Sequence, residues 1–297
     1  MQDFLFVNFF LGHEKGEEAR RILQVCDLLE TAEADHTNRH SWLGEIHLGV
    51  SLRLPWNDQR LHVLLDRLRE HGIEPFTRVD REYSRQELDQ AEWLMLRVAT
   101  AGLYGGVDYG QAYSFQNACE TCGAGVEPIP PLIAEIGKMG KKDMDHLVFE
   151  GHLIASSRIT DALAHLTGFE PTPVRSPRRS PDSRFYWLRI KSAFPGMNHS
   201  SLGIIKESVC STCGRAGHYG TSMEPEMLTY NEVPDTVCDF NHTWEYFGDW
   251  QQIRNKSQTR SVGGSRGIVV SQRTRRALLQ LKVRRLVWVP VTILQTA

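Results

Sequence analysis

"HLIASSRITDALAHLTGFEPTPV", His152 to Val174, is the stretch on which the fold turns. It can be laid on "GIVVSQRTRRALLQLKVRRLVWVPV", Gly267 to Val291. Ser156 then meets Ser271, Arg158 meets Arg273, Ala162 and Leu163 meet Ala277 and Leu278, and Leu166 meets Leu281. After a gap of two residues, Pro173-Val174 meets Pro290-Val291. Each copy reads as a short apolar strand, a serine cap, an amphipathic helix and a second strand. Short helix-strand patterns also resemble one another by chance, and only the strand pairing can decide between a repeat and a coincidence.

A cysteine motif stands ahead of each copy: "CETCGAG" from Cys119 and "CSTCGRAG" from Cys210. A Cys-x-x-Cys turn aims two sulfurs at one point, and a glycine after the second cysteine relieves crowding where backbone N–H groups face the sulfurs. Cys119, Cys122, Cys210 and Cys213 therefore read as a four-cysteine structural zinc site, with Gly123 and Gly214 completing the two knuckles. Four thiolates leave no open position for catalysis. The rivals are a thioredoxin-like redox pair and buried thiols without metal. A zinc clip between such distant segments predicts that the chain between them is folded. His218, Cys238 and His242 lie nearby but read as ordinary interior or polar residues, and Cys26 reads as core.

The composition, 41% hydrophobic and 24% charged over 297 residues, is that of a folded globular protein. Lys and Arg total 34 against 36 Asp and Glu, so there is no global electrostatic case for a nucleic-acid partner. Local basic candidates are "RFYWLRIK" and the segment Arg260 to Arg285, although Arg273, Arg275 and Arg276 read as a solvated helix face. "VRSPRRSPDSR", from Val174, reads as a solvated loop. No apolar run approaches the roughly 20 residues of a membrane span, and Asp3 stands where a signal peptide would carry a basic residue. The expectation is a cytoplasmic protein, where six cysteines do not suggest a disulfide framework.

Before the cysteines, "FLFVNFF", "EIHLGVSLRLP" and "EPFTRVDREY" read as strands, and Glu14–Glu30 and Asp58–His71 as helices. A capping box at Ser84 and Glu87 predicts a third helix through Leu96. "TAGLYGGVDYG" has no phosphate-loop spacing and reads as a linker or turn. The expected fold class is α/β (α+β). An N-terminal strand-helix sandwich, residues 1–110, precedes a zinc-clipped part, residues 111–297, with two related strand-helix-strand units.

There is no local nucleophile-base, metal-protease or hydrolase motif, and "DMDH" at Asp143 reads as a turn. No catalytic residue is assigned. "HTWEYFGDW" interleaves aromatic and acidic residues, which makes Trp244, Glu245, Tyr246, Asp249 and Trp250 candidates for a partner surface.

On the double Cys-x-x-Cys-Gly pattern joined to the unit ending "LTGFEPTPV", the chain resembles bacterial double-CxxCG motif proteins. More loosely it is similar to immunity proteins of polymorphic or contact-delivered toxin systems. The resemblance spans roughly residues 115–291. It implies that the four cysteines bind zinc and that the protein neutralises a cognate protein toxin, with no catalytic residues; the charge balance and hydropathy already argue against nucleic acid and membrane as partners. In the proteins it resembles the first pair stands near the start, whereas here about a hundred residues precede it. The alternatives are a nucleic-acid-associated zinc ribbon and an enzyme whose site is assembled from distant residues.

Overall fold

The computed structural model describes residues 2–12, 16–28, 39–42, 45–100, 102–148, 150–177, 181–220, 226–255 and 258–294. The fold is mixed α+β and forms two compact units, one of Met1–Ser84 with Thr221–Glu226 and one of Arg85–Gly220 with Met227–Ala297. The division lies at Ser84, ahead of the expected boundary at residue 110.

In the first unit, β1 (Gln2–Gly12), α1 (Gly16–Val25), β2 (Arg39–Trp42), β3 (Glu45–Pro55), α2 (Gln59–Glu70) and β4 (Phe76–Glu82) follow in order. The sheet order is β2-β3-β1-β4 with every pair antiparallel, the split βαβ arrangement of ferredoxin-like folds. Asp58 caps α2 by accepting from the Arg60 N–H at 2.9 Å. Leu61, Leu64 and Leu68 form the helix's buried stripe against Leu5, Val7, Leu52, Leu54 and Val79 of the sheet. Cys26 is buried in this core, as its spacing predicts.

The second unit begins with α3 (Arg85–Gln90) and β5 (Trp93–Val98). The helix expected through Leu96 stops at Gln90, because "WLMLRV" is apolar on both faces and fills the middle of a sheet. The small strands β6 (Tyr113–Ser114), β7 (Glu127–Pro128) and β8 (Leu132–Ile133) follow. Then come β9 (Met144–His146), β10 (Leu153–Ser156), α4 (Ser157–Ala162), β11 (Phe169–Arg175) and β12 (Pro181–Ile190). Next are β13 (Ser192–Ala193), β14 (Ile204–Lys206), β15 (His218–Gly220) and β16 (Thr229–Tyr230). The chain closes with β17 (Phe240–Asn255), β18 (Gln258–Ser271), α5 (Gln272–Gln280), β19 (Leu286–Pro290) and β20 (Thr292–Ile293). "DMDH" thus holds the whole of β9, preceded by Asp143, rather than forming a turn. Of "VRSPRRSPDSR", residues 178–180 lie outside the described residues, and the flanking parts are the paired strands β11 and β12.

Strand pairing decides the question of the repeat. One sheet contains β11-β12-β10-β9 and the other β19-β5-β18-β17. Their registers coincide residue for residue. Ser156 faces Phe185 as Ser271 faces Trp93, and Ile154 faces Trp187 as Val269 faces Met95. Phe169 faces Ile190 as Leu286 faces Val98, and Pro173 faces Tyr186 as Pro290 faces Leu94. Leu153 faces His146 as Ile268 faces His242. The repeat is therefore longer than the helix-strand unit: strand, knuckle, hairpin, helix with serine at its N-terminal boundary, strand. Of the two serines only Ser271 accepts a capping hydrogen bond, and Ser156 donates to Asp143.

The leading strands are exchanged. β5 precedes the first knuckle yet lies between β18 and β19 of the second repeat, and β12 precedes the second knuckle yet lies between β10 and β11 of the first. Polar side chains repeat the relation. Arg158 donates to Asp143 at 2.7 Å and reaches Leu281 O at the end of α5; Arg273 donates to Asp239 at 2.9 Å and reaches His165 O beyond α4. Between the sheets lies one shared core of Leu96, Val98, Leu163, Leu188, Ile190, Ile268, Val270 and Leu278.

Among the equivalent positions that differ in charge are Asp145 and Asn241. Asn241 accepts from Ser192 Oγ at 2.6 Å, whereas Asp145, fully buried, accepts from Thr100 and pairs with Lys142 Nζ at 2.7 Å. Burial pushes the Asp145 carboxyl up, but bonds from His146, Lys142 and Thr100 outweigh it and hold it below the ordinary range. The ionised form is favoured by folding, so its stabilisation is complete above about pH 4 and lost as pH falls through the folded value. Asp145→Asn, which installs the residue of the other repeat, should lose less Tm than the parent between neutral pH and about pH 3. Equal acid slopes in a pH series of melts would refute this.

Candidate metal centre

Each knuckle is built by its own backbone. Cys119 N–H donates to Ala124 O at 2.8 Å and Gly123 N–H to Cys119 O at 2.8 Å; Cys210 N–H donates to Ala216 O at 3.1 Å and Gly214 N–H to Cys210 O at 2.7 Å. Gly123 and Gly214 have φ of +72° and +69°, the left-handed conformation that a Cβ disfavours. The shared pattern is Cys-x-Thr-Cys-Gly, then Ala-Gly, with Arg215 inserted in the second copy.

The two knuckles meet face to face. Cys119 Sγ lies 3.9 Å from Cys210 Sγ, Cys122 Sγ lies 3.4 Å from Cys213 Sγ, and all four sulfurs fall within 4.8 Å of one another. A tetrahedral ion with metal–sulfur bonds of about 2.3 Å requires sulfur–sulfur edges of about 3.8 Å. The arrangement fits a single ion held by four thiolates. At its rim, Thr121 and Thr212 hydroxyls touch at 2.7 Å. Neither His218, buried against Phe247, nor Cys238 belongs to the cluster.

The thiols are unequal. The amide of Cys122, helped by that of Thr121, lowers the Cys119 pKa. Burial raises that of Cys210, yet the amides of Cys213 and Thr212 bring it down to about 6. Cys122 and Cys213 are pushed up chiefly by burial. The first cysteine of each knuckle is thus the more acidic, and the second would give up its proton on binding a cation.

Tyr246, on β17, ties the knuckles together. Its backbone N–H donates to Arg215 O at 2.7 Å, and its hydroxyl accepts from Gly125 N–H at 2.7 Å. It packs with Cys122, Ala124, Cys210 and Ala216. Tyr246→Phe should therefore leave the half-buried Gly125 N–H without its acceptor and cost about 1 kcal/mol. Denaturant melts of the metal-loaded variant check this, and no loss would mean that water replaces the hydroxyl.

The expected partner surface is only partly available. Tyr246 is interior for the reason just given, and Glu245 is 2% exposed, its carboxyl accepting from Met197 N–H at 2.6 Å. β17 is irregular between His242 and Tyr246, and the adjacent Glu245 and Tyr246 are both buried. Trp244 is half-buried, packed beside Gly214, while Asp249 and Trp250 are exposed. Of the basic candidates, Arg273 is engaged by Asp239 and Arg275, 5% exposed, by Asp89 at 2.7 Å, so α5 does not present them as a free cationic face. The place of Tyr246 between the knuckles, in contrast to the partner surface expected of it, and the leading strands are not legible in the sequence. The signal for the strands was "WLMLRV" against "FYWLRI", equivalent in register but short enough to pass as coincidence.

Among the described residues, no helix is long and apolar enough to cross a membrane. Compared with protein families, characterised proteins and solved structures, the chain matches none.

Proposed function

We propose that the chain is a zinc-stapled binding protein of the immunity type, which captures and neutralises a cognate protein toxin. Zinc is favoured because four thiolates at tetrahedral spacing suit a soft ion with no preference for open coordination. Elemental analysis of the purified protein should find one zinc per chain; iron or no metal would reject the assignment.

The observation that carries the binding role is the exposed apolar surface around the second knuckle. Leu202, Ile205, Val209 and Trp250 are 42%, 41%, 38% and 42% exposed, on or beside a sheet whose edge is β14. An edge strand offers unpaired backbone groups and Trp250 an aromatic anchor, on a body made rigid by the staple. Affinity capture from the native cells should return a stoichiometric secreted toxin, lost on combined Ile205→Asp and Trp250→Asp substitution at unchanged Tm. Recovery of nucleic acid, or of no macromolecule while the toxin is expressed, would overturn the reading.

A further inference from the structure

Behind the first knuckle and against the β17–β18 hairpin lies a cavity of about 200 Å³, lined among others by Arg189, Lys191, Arg215, Arg266, His152 and His242. We propose that it binds a compact dianion, a phosphate monoester or a dicarboxylate. This site is separate from the apolar edge and stands independently of the toxin-binding reading.

The charge of the wall points to an anion. Two carboxylates line the cavity: Glu127 is paired, while Glu150 has one oxygen bonded and the other, Oε2, buried without a hydrogen-bond partner. Arg189 Nη2 holds Glu127 at 2.5 Å, while Glu150 accepts from the Tyr113 hydroxyl at 2.5 Å and lies 3.2 Å from His152 Nε2. Four permanent cations therefore line the cavity, Arg189 paired with Glu127 and Lys191 with Glu170 at 3.4 Å, in a chain whose formal charge is -2.

Arg266 sharpens the case. Its Nε donates to Thr243 O at 2.6 Å, but Nη2 is buried without a hydrogen-bond partner. The acidic groups that act on it, Glu245 and Glu127, are held by Met197 N–H and by Arg189. Arg215 adds like charge: both guanidinium groups approach the Tyr246 ring, at 5.2 and 5.8 Å from its centroid. A guanidinium does not escape by losing its proton, and an uncompensated buried charge is strongly destabilising. Arg189 Nε and His152 Nδ1 are also buried without hydrogen-bond partners. Three unpartnered nitrogens, with the unpartnered Oε2 of Glu150, thus belong to residues on the wall of one cavity, where the two arginine forks suit planar or tetrahedral oxyanions. Burial, and after it the charge of Arg266, keeps His242 below the usual imidazole range, which leaves the arginines as the cationic recognition groups. Tyr113, Trp187 and Ile253 line the same space and offer an apolar wall to the carbon part of the ligand.

The test titrates the full-length, metal-loaded protein by calorimetry with inorganic phosphate and separately with succinate, with chloride at matched ionic strength as control. One-to-one binding and a raised Tm with either dianion is the expected result; phosphate alone assigns a phosphate ligand, and succinate alone a dicarboxylate. Arg266→Gln should weaken binding at least tenfold, yet melt no lower than the parent in anion-free buffer, because the uncompensated charge is gone. Neither dianion exceeding chloride, or Arg266→Gln binding as the parent does, would overturn the proposal. Should that variant not fold, Lys191→Gln, at a half-exposed side chain, should weaken binding several-fold, and unchanged affinity there would overturn it equally.

Discussion

Cys210→Ser is expected to release the metal and lower the melting temperature by about 10 °C or more, since a loss of about 5 kcal/mol shifts a domain of this size by 2–4 °C per kcal/mol. Structural metal ions in four-cysteine sites contribute roughly 10–16 kcal/mol of apparent binding free energy, coupled to folding. Natural domains are stable by only about 5–15 kcal/mol, so losing even part of that contribution is severe. The geometry makes Cys210 a stringent choice. Its sulfur stands 3.9 Å from Cys119 Sγ in the opposite knuckle, so the substitution cuts a link between segments 91 residues apart. Cys122, buried, and Cys213, half-buried, would then keep protons that a bound cation would displace. Cys238→Ser is the control, since Cys238 lies outside the cluster and should keep both metal and Tm. Calorimetric melting with elemental analysis measures both quantities. A Cys210→Ser protein that melts like the parent without metal would sink the staple.

How much of this was legible in the sequence differs from part to part, for physical reasons. The knuckles were readable because their chemistry is local: two cysteines and a left-handed glycine within five residues encode their own turn. α2 was readable for the same reason, since Asp58 caps it and a leucine stripe spaces it. The strands β5 and β12 were not. Each is a short apolar run whose identity comes from partners more than a hundred residues away or in the other repeat, and β5 was assigned to a helix on the strength of a capping signal that encodes only α3. Trp244 to Trp250 misled in a different way. Acidic and aromatic residues suggested a surface, but β17 is irregular there, and Glu245 and Tyr246 are both buried.

The exchange of leading strands makes the second large prediction, that neither repeat folds alone. A fragment of residues 85–180 carries β5 but lacks β12, the strand between β10 and β11. Phe185, Trp187, Leu188 and Ile190 of β12 are each at most 7% exposed, and burying four such side chains contributes about 6–12 kcal/mol. That is as large as the stability of a typical domain, so the fragment should remain unfolded. Residues 181–297 have the converse defect, lacking β5, where Leu94, Met95 and Leu96 are at most 3% exposed. Mixed with metal, the fragments should form a one-to-one complex, because each supplies the other's central strand and one knuckle of the site. A third fragment separates exchange from mere size: residues 99–190 drop β5 and gain β12, so the first sheet regains its own middle strand in a chain of similar length. Circular dichroism and gel filtration should find it more ordered than 85–180. If 85–180 instead folds cooperatively by itself, β5 can serve its own repeat, and the exchange is a choice of connectivity rather than a requirement of the fold.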